Sequence, residues 1–465
     1  MSHIAVIDIG KTNAKLALVE PDTLTEVAVV TRPNTVLPGP PWPHFDTEGH
    51  WSFLLDGLAR FHAVHGISAI VTTTHGACVA LLDKDGELAA PILDYEHTGP
   101  EALTAEYDAL RPDFADTGSP RLGMGLNVGA QLHWQFAQDP SLKERTRTIV
   151  TYPQYWGFRL AGVAATDVTS LGCHTDLWNP HAGEFSSLVD RLGIAGKIAP
   201  AHRSGDVLGA ILPDIAARTG MAPDTPVYCG IHDSNASLLP HILAHAPPFS
   251  VVSSGTWTIA MAIGGRPMPL DPAKDTLINV NALGSPVPSA RFMGGREHDL
   301  AMAGNTAEPT EADLRKVLDE GAMLMPSVMP TAGPFRGQTA HWIGQEPETG
   351  TGARSAAVAF YLALVTTHCL ELIGHRGQIV VEGPFSRNLP YRRMLRIATG
   401  SDVVAMNSAT GTSQGAALVL GGTIRDKGWK AAQSPEIDPL AAEMSAYRDT
   451  WNAALAKVDR SRPSQ

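Results

Sequence analysis

The stretch HIAVIDIGKTNAKLALVE, residues 3–20, decides the fold that this sequence predicts. His3 to Asp8 alternates and is rich in Ile and Val, which indicates a strand, and Asn13 to Val19 indicates a second strand. Between them lies a tight polar turn, Asp8-Ile9-Gly10-Lys11-Thr12. It presents a carboxylate, an ammonium group, a hydroxyl and backbone N–H groups at one point, which suits a Mg²⁺-bound polyphosphate. Taken alone, the same pattern is equally typical of a plain hairpin turn.

The triplet Gly10-Lys11-Thr12 imitates the end of a P-loop. A P-loop requires a glycine five residues before the Gly-Lys pair, where this chain has Ala5, and a helix after the threonine. Because the residues from Asn13 onward indicate a strand, we reject the P-loop.

Length and composition bound the class of protein. A chain of 465 residues is too long for one ordinary core and predicts at least two domains, with Pro247-Pro248 as a boundary. A net charge of −12 without a basic run argues against nucleic acid as the main partner. The start of the chain shows no signal peptide, and no apolar run approaches membrane-spanning length, so we expect a cytoplasmic protein without a membrane partner.

The cysteines and paired histidines give weak metal signals. The four cysteines fall into no metal-binding spacing, which predicts reduced, mostly buried thiols. His62 and His65 are three residues apart, and His241 and His245 are four apart. A pair without a third ligand is weak support for a metal site, and surface or packing roles are the alternative.

A second strand–turn–strand stretch follows the proline pair. Phe249 to Ser254 and Trp257 to Ile263 indicate strands, with the turn Ser254-Gly255-Thr256 between them. This repeats the opening theme near the start of the second half, and it suggests two related domains that each contribute one phosphate-facing hairpin. Coincidence is the alternative, because side-chain identity between the two hairpins is low.

Polar side chains follow several predicted strands. Thr74-His75-Gly76 follows a buried strand, Asp94 to Thr98 forms a dense polar cluster, and Asp233 lies between a strand and a helix. Ligands gather at such strand ends in α/β sheets. The glycine turns at Gly383 to Asn388 and Gly411 to Ala417 precede helices, where anions bind readily, although turn geometry alone also explains them.

Taken in order, these segments resemble the FGGY family of carbohydrate kinases, within the group of sugar kinases, Hsp70 and actin. The resemblance covers nearly the whole chain and is carried by these segments: Asp8 to Asn13, Thr74-His75-Gly76, Gly230 to Ser234, Ser254-Gly255-Thr256, Gly383 to Asn388 and Gly411 to Ala417. It implies an α/β fold of two RNase H-like (actin-like ATPase) domains with an inter-domain cleft. The implied domains are 1–246, which binds the sugar and carries the catalytic base, and 247–465, which binds the nucleotide.

The resemblance also implies a reaction, in-line transfer of the ATP γ-phosphoryl group to a sugar or polyol hydroxyl, with Mg²⁺. Asp233 is expected to be the general base, and Asp8 to orient the metal. ATP-binding residues are expected at Lys11, Thr12, Asn13, Ser254, Gly255, Thr256, Gly383, Asn388, Gly411 and Gln414. Substrate-binding residues are expected at His75, Gly76, Asp94, Glu96, His232 and Asp233.

Two departures from the family pattern bear on specificity. Glu382-Gly383-Pro384 stands where a Gly-Gly-Gly is usual, and Leu93 to His97 replaces a Trp-x-Asp-x-Arg-type segment. The first leaves the exact nucleotide contacts open, and the second leaves ketopentose, 6-deoxyketohexose, tetrulose and polyol substrates open. A homodimer also stays open. Two other functions also stay open, an ATP-binding sensor or chaperone-type ATPase and a catalytically silent sugar-binding regulator.

Overall fold

The opening stretch forms the predicted hairpin. Strand β1 (His3–Ile9) pairs antiparallel with β2 (Asn13–Val19), with Asp8 opposite Lys15. The strand that follows the turn confirms that Gly10-Lys11-Thr12 is not a P-loop.

The computed structural model describes residues 3–406, 411–421 and 438–460. They divide into a first unit (3–244, 278–287 and 411–421) and a second unit (245–277, 288–406 and 438–460). The chain thus returns to the first unit twice. The predicted domains, 1–246 and 247–465, assign both returning segments to the second domain. A proline-rich boundary is a local signal and does not show where later segments pack.

The remaining strands are β3 (Glu26–Pro33), β4 (Val36–Leu37), β5 (His44–Phe45), β6 (Ile67–Thr74), β7 (Val79–Leu82), β8 (Thr148–Thr151), β9 (Thr166–Asp167), β10 (Trp178–Asn179), β11 (Glu184–Phe185), β12 (Ala201–His202), β13 (Val207–Ala210), β14 (Pro226–Tyr228), β15 (Ile231–His232), β16 (Phe249–Ser254), β17 (Thr258–Ile263), β18 (Thr276–Val280), β19 (Pro286–Phe292), β20 (Met323–Met325), β21 (His341–Ile343), β22 (Gln378–Glu382) and β23 (Val403–Ala405).

The α-helices are α1 (Thr47–His65), α2 (Thr104–Leu110), α3 (Phe114–Thr117), α4 (Val128–Gln138), α5 (Pro140–Arg145), α6 (Tyr152–Ala161), α7 (Val168–Leu171), α8 (Leu188–Arg191), α9 (Pro213–Thr219), α10 (Asp233–Ala244), α11 (Gly294–Met302), α12 (Glu311–Glu320), α13 (Gly352–Leu372), α14 (Leu389–Thr399), α15 (Thr412–Leu418) and α16 (Ala441–Arg460). Short 3₁₀ helices span Gly99–Leu103, Pro272–Lys274 and Pro384–Arg387.

The main sheet of the first unit has the order β13-β14-β6-β1-β2-β3, with β15 also beside β6. Apolar side chains of β1 alternate between its two faces. Ala5, Ile7 and Ile9 pack with residues of α1 and α6, whereas Ile4 and Val6 pack with residues of α10 and α15. Helices on both faces bury the central strands, which is why β1 and β6 are almost continuously buried.

The main sheet of the second unit has the order β18-β19-β17-β16-β22-β23. Strand β16 pairs antiparallel with β17 and parallel with β22, as β1 pairs antiparallel with β2 and parallel with β6. Each unit therefore presents a hairpin beside a parallel strand, as the repeated motif predicted.

Helix α13 corrects one expectation from the sequence. Among the described residues, this 21-residue helix is long and apolar enough to span a membrane by length and composition. It is instead the central core helix of the second unit, with residues such as Phe360, Leu362 and Leu364 buried. A helix that is apolar all round is typical of a buried core position as well as of a membrane span.

Candidate functional site

Asp8 is a partly buried carboxylate at the end of β1. The ammonium group of Lys15 lies 3.6 Å from Asp8 Oδ2 and 3.2 Å from Glu26 Oε1. Burial raises the pKa of Asp8 to about 6, against the attraction of Lys15 and together with repulsion from Asp233. A carboxylate that is costly to keep ionised gains from a nearby cation, so its surroundings fit a role in orienting a metal.

Asp233 lies at the same edge of the sheet as Asp8. Strand β6 separates β1 from β15, and its Thr73 pairs with Asp8 on one side and with Ile231 on the other. Asp233 begins α10 directly after β15, and its Oδ1 accepts a 2.6 Å hydrogen bond from the backbone N–H of Ser234. The first unit thus brings the predicted base and the predicted metal residue together.

His232 is buried beside Asp233. Its Nε2 lies 3.1 Å from Asp233 Oδ1, and its backbone N–H donates a 2.9 Å hydrogen bond to Thr169 Oγ1. Burial lowers the pKa of His232, but Cys173 and Asp233 outweigh this effect and raise it to about 9. Gly76 leaves room for the ring, because a Cβ there would lie 2.9 Å from His232 Nε2.

His75 is a buried, neutral imidazole with one uncommitted nitrogen. Its Nδ1–H donates a 2.9 Å hydrogen bond to the Gly76 carbonyl, and its ring packs against Phe45, Tyr95 and Tyr152. Burial lowers its pKa. Among the described residues, none lies within hydrogen-bonding distance of His75 Nε2. A buried acceptor without a partner is costly, so this atom is suited to a ligand hydroxyl.

Lys11 forms ion pairs with the polar cluster that follows Leu93. Its ammonium group pairs with Asp94, lies 3.0 Å from Glu96 Oε2 and sits 4.7 Å from the centre of the Tyr95 ring. Asp94 is buried and Glu96 is exposed. The structure therefore joins a residue predicted to bind phosphate to two residues predicted to bind sugar. Asp94 and Glu96 are 83 and 85 positions after Lys11 in the sequence, so no local pattern could predict these ion pairs.

The second hairpin is tied to the loop after β22. Ser254 Oγ donates to the Glu382 carbonyl (2.5 Å) and accepts from the N–H of Phe385 (3.0 Å), so its hydroxyl has a structural role. Gly383 has φ +75°, and a Cβ there would lie 1.9 Å from the Ser254 carbonyl oxygen. Only glycine fits this close approach.

Several predicted nucleotide-binding residues are accessible at turns. Thr12 and Asn13 in the first unit and Gly255 and Thr256 in the second are exposed. At the start of α15, Gln414 Oε1 accepts a 3.3 Å hydrogen bond from the N–H of Gly411, which caps the helix.

A cavity of about 700 Å³ opens in the second unit beside α14. Asn388 lines it and also caps α14, because its Oδ1 accepts a 3.0 Å hydrogen bond from the N–H of Tyr391. The side-chain amide N–H₂ of Asn388 is not used in that cap. His298, Asn305 and Arg387 also line the cavity. Arg387 belongs to the predicted turn that ends at Asn388, whereas His298 and Asn305 were not predicted, because no motif in the sequence marks them.

Comparison with known proteins decides the family. Residues 3–240 match the N-terminal domain of the FGGY family of carbohydrate kinases, and residues 246–429 match the C-terminal domain of carbohydrate kinase FGGY. The chain belongs to the FGGY family of carbohydrate kinases.

Relatives of this FGGY chain include sugar kinases of known name. It is 27% identical over 203 residues to L-fuculokinase of Salmonella typhi, a match that covers 43% of this chain and 42% of that protein. It is 26% identical over 184 residues to xylulose kinase of Bacillus subtilis (strain 168), covering 39% and 34%. The chain thus matches about two fifths or less of the length of these curated relatives.

Solved structures establish the fold. A carbohydrate kinase from Novosphingobium aromaticivorans matches with a TM-score of 0.92 and 38% identity, covering 99% of this chain and 100% of that one. Xylulose kinase from Rhodospirillum rubrum matches with a TM-score of 0.77 and 23% identity, covering 98% and 99%. The predicted α/β class with two RNase H-like, actin-like ATPase domains is confirmed.

Asp8 is the residue of this FGGY chain that was predicted to orient a metal. Within residues 3–406, 411–421 and 438–460, no group of three or more His, Cys, Asp or Glu side chains is arranged to hold a metal ion. His241 and His245 therefore gain no third ligand there. A single carboxylate fits Mg²⁺, which keeps several waters and binds through one or two carboxylates plus substrate phosphates.

Proposed function

We propose that this protein transfers the γ-phosphoryl group of ATP to a hydroxyl of a neutral ketose or polyol. The observation that carries the proposal is the pair of carboxylates, Asp8 and Asp233, at one edge of the first unit's sheet. Phosphoryl transfer requires a base for the acceptor hydroxyl and a cation for the phosphates, and this pair supplies a position for each.

Asp233 acts as the general base. A sugar hydroxyl is too weak an acid to ionise unaided at neutral pH, and a carboxylate within hydrogen-bonding reach accepts its proton as the new P–O bond forms. His232 and Ser234 both contact Oδ1, so Oδ2 is the oxygen that faces the acceptor hydroxyl. Bound Mg²⁺, held through Asp8, would supply charge stabilisation on the phosphate oxygens.

The sugar is held by the polar side chains of the first unit. His75 Nε2 accepts a hydrogen bond from one hydroxyl, and the carboxylates of Asp94 and Glu96 accept from others. Charged acceptors bind hydroxyls about twice as strongly as neutral ones do.

The charge balance favours a neutral acceptor. Lys11 is already paired with both Asp94 and Glu96, and Asp233 adds a further carboxylate to the same unit. A sugar acid would bring another negative charge to this group, and desolvating it there would be unfavourable. We therefore place L-fuculose-like and xylulose-like ketoses ahead of sugar acids.

The nucleotide base and ribose bind in the cavity of the second unit. Its volume, about 700 Å³, lies within the usual range for pockets that bind small molecules and cofactors. The amide of Asn388 and the guanidinium group of Arg387 supply donors there. The exposed turn Gly255-Thr256 supplies N–H and O–H donors for the phosphates.

A panel assay tests the proposal. ADP release is measured with Mg-ATP and each of a set of ketopentoses, 6-deoxyketohexoses, tetruloses, polyols and sugar acids. We expect one or a few neutral sugars to stimulate ADP release strongly. Equal release with and without every sugar would instead support an ATPase or sensor, and sugar binding without release would support a silent regulator.

A further inference from the structure

Cys173 differs from the other cysteines in its surroundings. Its sulfur is buried, 3.6 Å from His232 Nε2 and 3.4 Å from His174 Nε2. Burial raises the pKa of Cys173, but the two imidazoles outweigh this effect and lower it to about 5. By contrast, burial raises the pKa of the Cys78 and Cys369 thiols. A thiol beside an imidazole that itself contacts the proposed base is unlike a plain core thiol.

The contacts of His232 place a ring proton between it and Asp233. Because its pKa is raised to about 9, the ring carries a proton on both nitrogens at neutral pH. The side-chain amide of Asn235 lies 3.2 Å from Nδ1. Nε2–H faces both Asp233 Oδ1 at 3.1 Å and Cys173 Sγ at 3.6 Å. His232 thus donates toward the carboxylate of Asp233.

Gly76 and Cys173 confine the imidazole edge. A Cβ at Gly76 would lie 2.9 Å from His232 Nε2 and 3.0 Å from Cys173 Sγ, so the ring edge and the sulfur fill the space that glycine leaves. The sulfur lies 3.6 Å from Nε2. Removing the sulfur would free the ring to rotate and would weaken the hydrogen bond to Asp233 Oδ1.

We propose that Cys173 is a positioning residue for phosphoryl transfer, which holds His232 so that its Nε2–H binds Oδ1 of Asp233 and leaves Oδ2 for the acceptor hydroxyl. The inference rests on the proposed function, since it requires Asp233 to be the base. It deepens that function, because it assigns to the reaction a residue that the sequence marked only as a buried thiol.

The primary test compares Cys173→Ala and Cys173→Ser with Cys369→Ala, which removes a buried thiol from the second unit. For Cys173→Ala we expect kcat to fall roughly tenfold with the KM for ATP unchanged, because misplacing a catalytic group by a fraction of an ångström is costly. Cys173→Ser, which keeps a polar group at the position, should lose less. Cys369→Ala should keep the parent kcat.

The split between kcat and KM separates positioning from a structural role. A positioning residue acts on the geometry of the reacting groups, so its loss lowers kcat and leaves ground-state binding intact. We expect Cys173→Ala to keep the parent KM for the sugar as well as for ATP. An unchanged kcat with a lowered melting temperature would overturn the proposal.

A double-mutant cycle gives a second readout. If Cys173 acts through His232, Cys173→Ala should cost less than about twofold in a His232→Ala background. Additive losses would overturn the proposal. Should Cys173→Ala not fold, Cys173→Ser carries the same comparison.

Asp233→Asn is measured in parallel. If Asp233→Asn stays active, the proposed base is wrong. If Asp233→Asn is inactive and Cys173→Ala is unaffected, only the positioning role of Cys173 is rejected.

Discussion

The two hairpins share a topology but differ in chemistry. In each, the first strand pairs antiparallel with the next and parallel with a later strand. In the first hairpin, Asp8 is the next-to-last residue of β1. The corresponding residue of the second hairpin, next to last in β16, is Ser253. The first turn contains Lys11, and the second contains only Gly255, Thr256 and Trp257. One scaffold therefore supports both a charged hairpin, whose Asp8 is suited to orienting a metal, and a neutral one suited to phosphate.

The largest effect is expected at Asp233, in the same unit as the charged hairpin. Asp233→Ala should lower kcat by roughly 10²–10⁴-fold while leaving ATP binding nearly intact, because it removes the proton acceptor. Turnover and nucleotide titration measure the two quantities. As a control, Asp319→Ala removes an exposed carboxylate of the second unit and should change neither turnover nor nucleotide binding. Near-normal turnover of Asp233→Ala would remove this residue from the mechanism.

Asp8 and Ser253 test the comparison directly. Asp8→Asn should raise the Mg²⁺ requirement and cut turnover by about 10–100-fold, as loss of a metal-orienting group does. Ser253→Ala, at the corresponding position, should change the Mg²⁺ requirement and the turnover by less than about threefold each. Mg²⁺ titrations of both variants measure this difference. An equal rise in the Mg²⁺ requirement of the two variants would mean that the hairpins do not differ in function.

The pKa of Asp8 predicts a pH dependence. Because that pKa is raised to about 6, the carboxyl becomes protonated as pH falls through 6, and a protonated carboxyl binds a cation poorly. The Mg²⁺ concentration for half-maximal activity should therefore rise by up to about tenfold per pH unit below 6. Asp8→Asn should lack this dependence. A flat Mg²⁺ requirement between pH 5 and 7 in the parent would contradict the assignment.

Lys11 distinguishes two roles for the first turn. Its pairing with Asp94 and Glu96 predicts that Lys11→Met raises the KM for the sugar by roughly 3–10-fold, since both carboxylates lose their cation. If Lys11 instead contacts the phosphates of ATP directly, Lys11→Met should raise the KM for ATP by the same factor and leave the KM for the sugar unchanged. Initial rates with each substrate varied in turn show which KM changes.

The smallest effect is expected on stability, at a buried carboxyl of the second unit. Glu297 contacts Tyr361 Oη (2.6 Å) and the N–H of Met329 (3.2 Å), and burial raises its pKa to about 7 from 4.5. Because the folded pKa is the higher one, ionisation costs stability progressively as pH rises from 4.5 to 7, and the full cost remains above that.

Glu297→Gln should therefore gain about 1–3 kcal/mol in unfolding free energy relative to the parent at pH 8, and little at pH 5. Its kcat should stay at the parent value, unlike that of Asp8→Asn, whose buried carboxyl is proposed to be functional. Denaturant unfolding at both pH values measures the difference. A pH-independent gap would show that Glu297 does not titrate in this range.

Local sequence patterns predicted much of the architecture. The alternation in β1 and β2 and the repeated hairpin at β16 and β17 are each set by neighbouring residues, and each is present. The apolar length of α13 was misjudged, because a core helix and a membrane span share the same composition.

Contacts between distant residues could not be predicted. The pairing of Lys11 with Asp94 joins residues 83 apart, and the contact of Cys173 with His232 joins residues 59 apart. The cavity beside Asn388 is likewise assembled from separate segments. Such groups depend on packing, and no periodicity in the chain encodes them.

The central claim is that Asp8 and Asp233 together serve phosphoryl transfer to a sugar. The most direct measurement is the amount of sugar phosphate formed per ADP released, followed by phosphorus NMR with Mg-ATP and a neutral ketose identified in the panel. The account predicts one sugar phosphate for each ADP in the parent and neither product above background in Asp233→Asn. ADP accompanied by free inorganic phosphate, in the parent and unchanged in the variant, would contradict it.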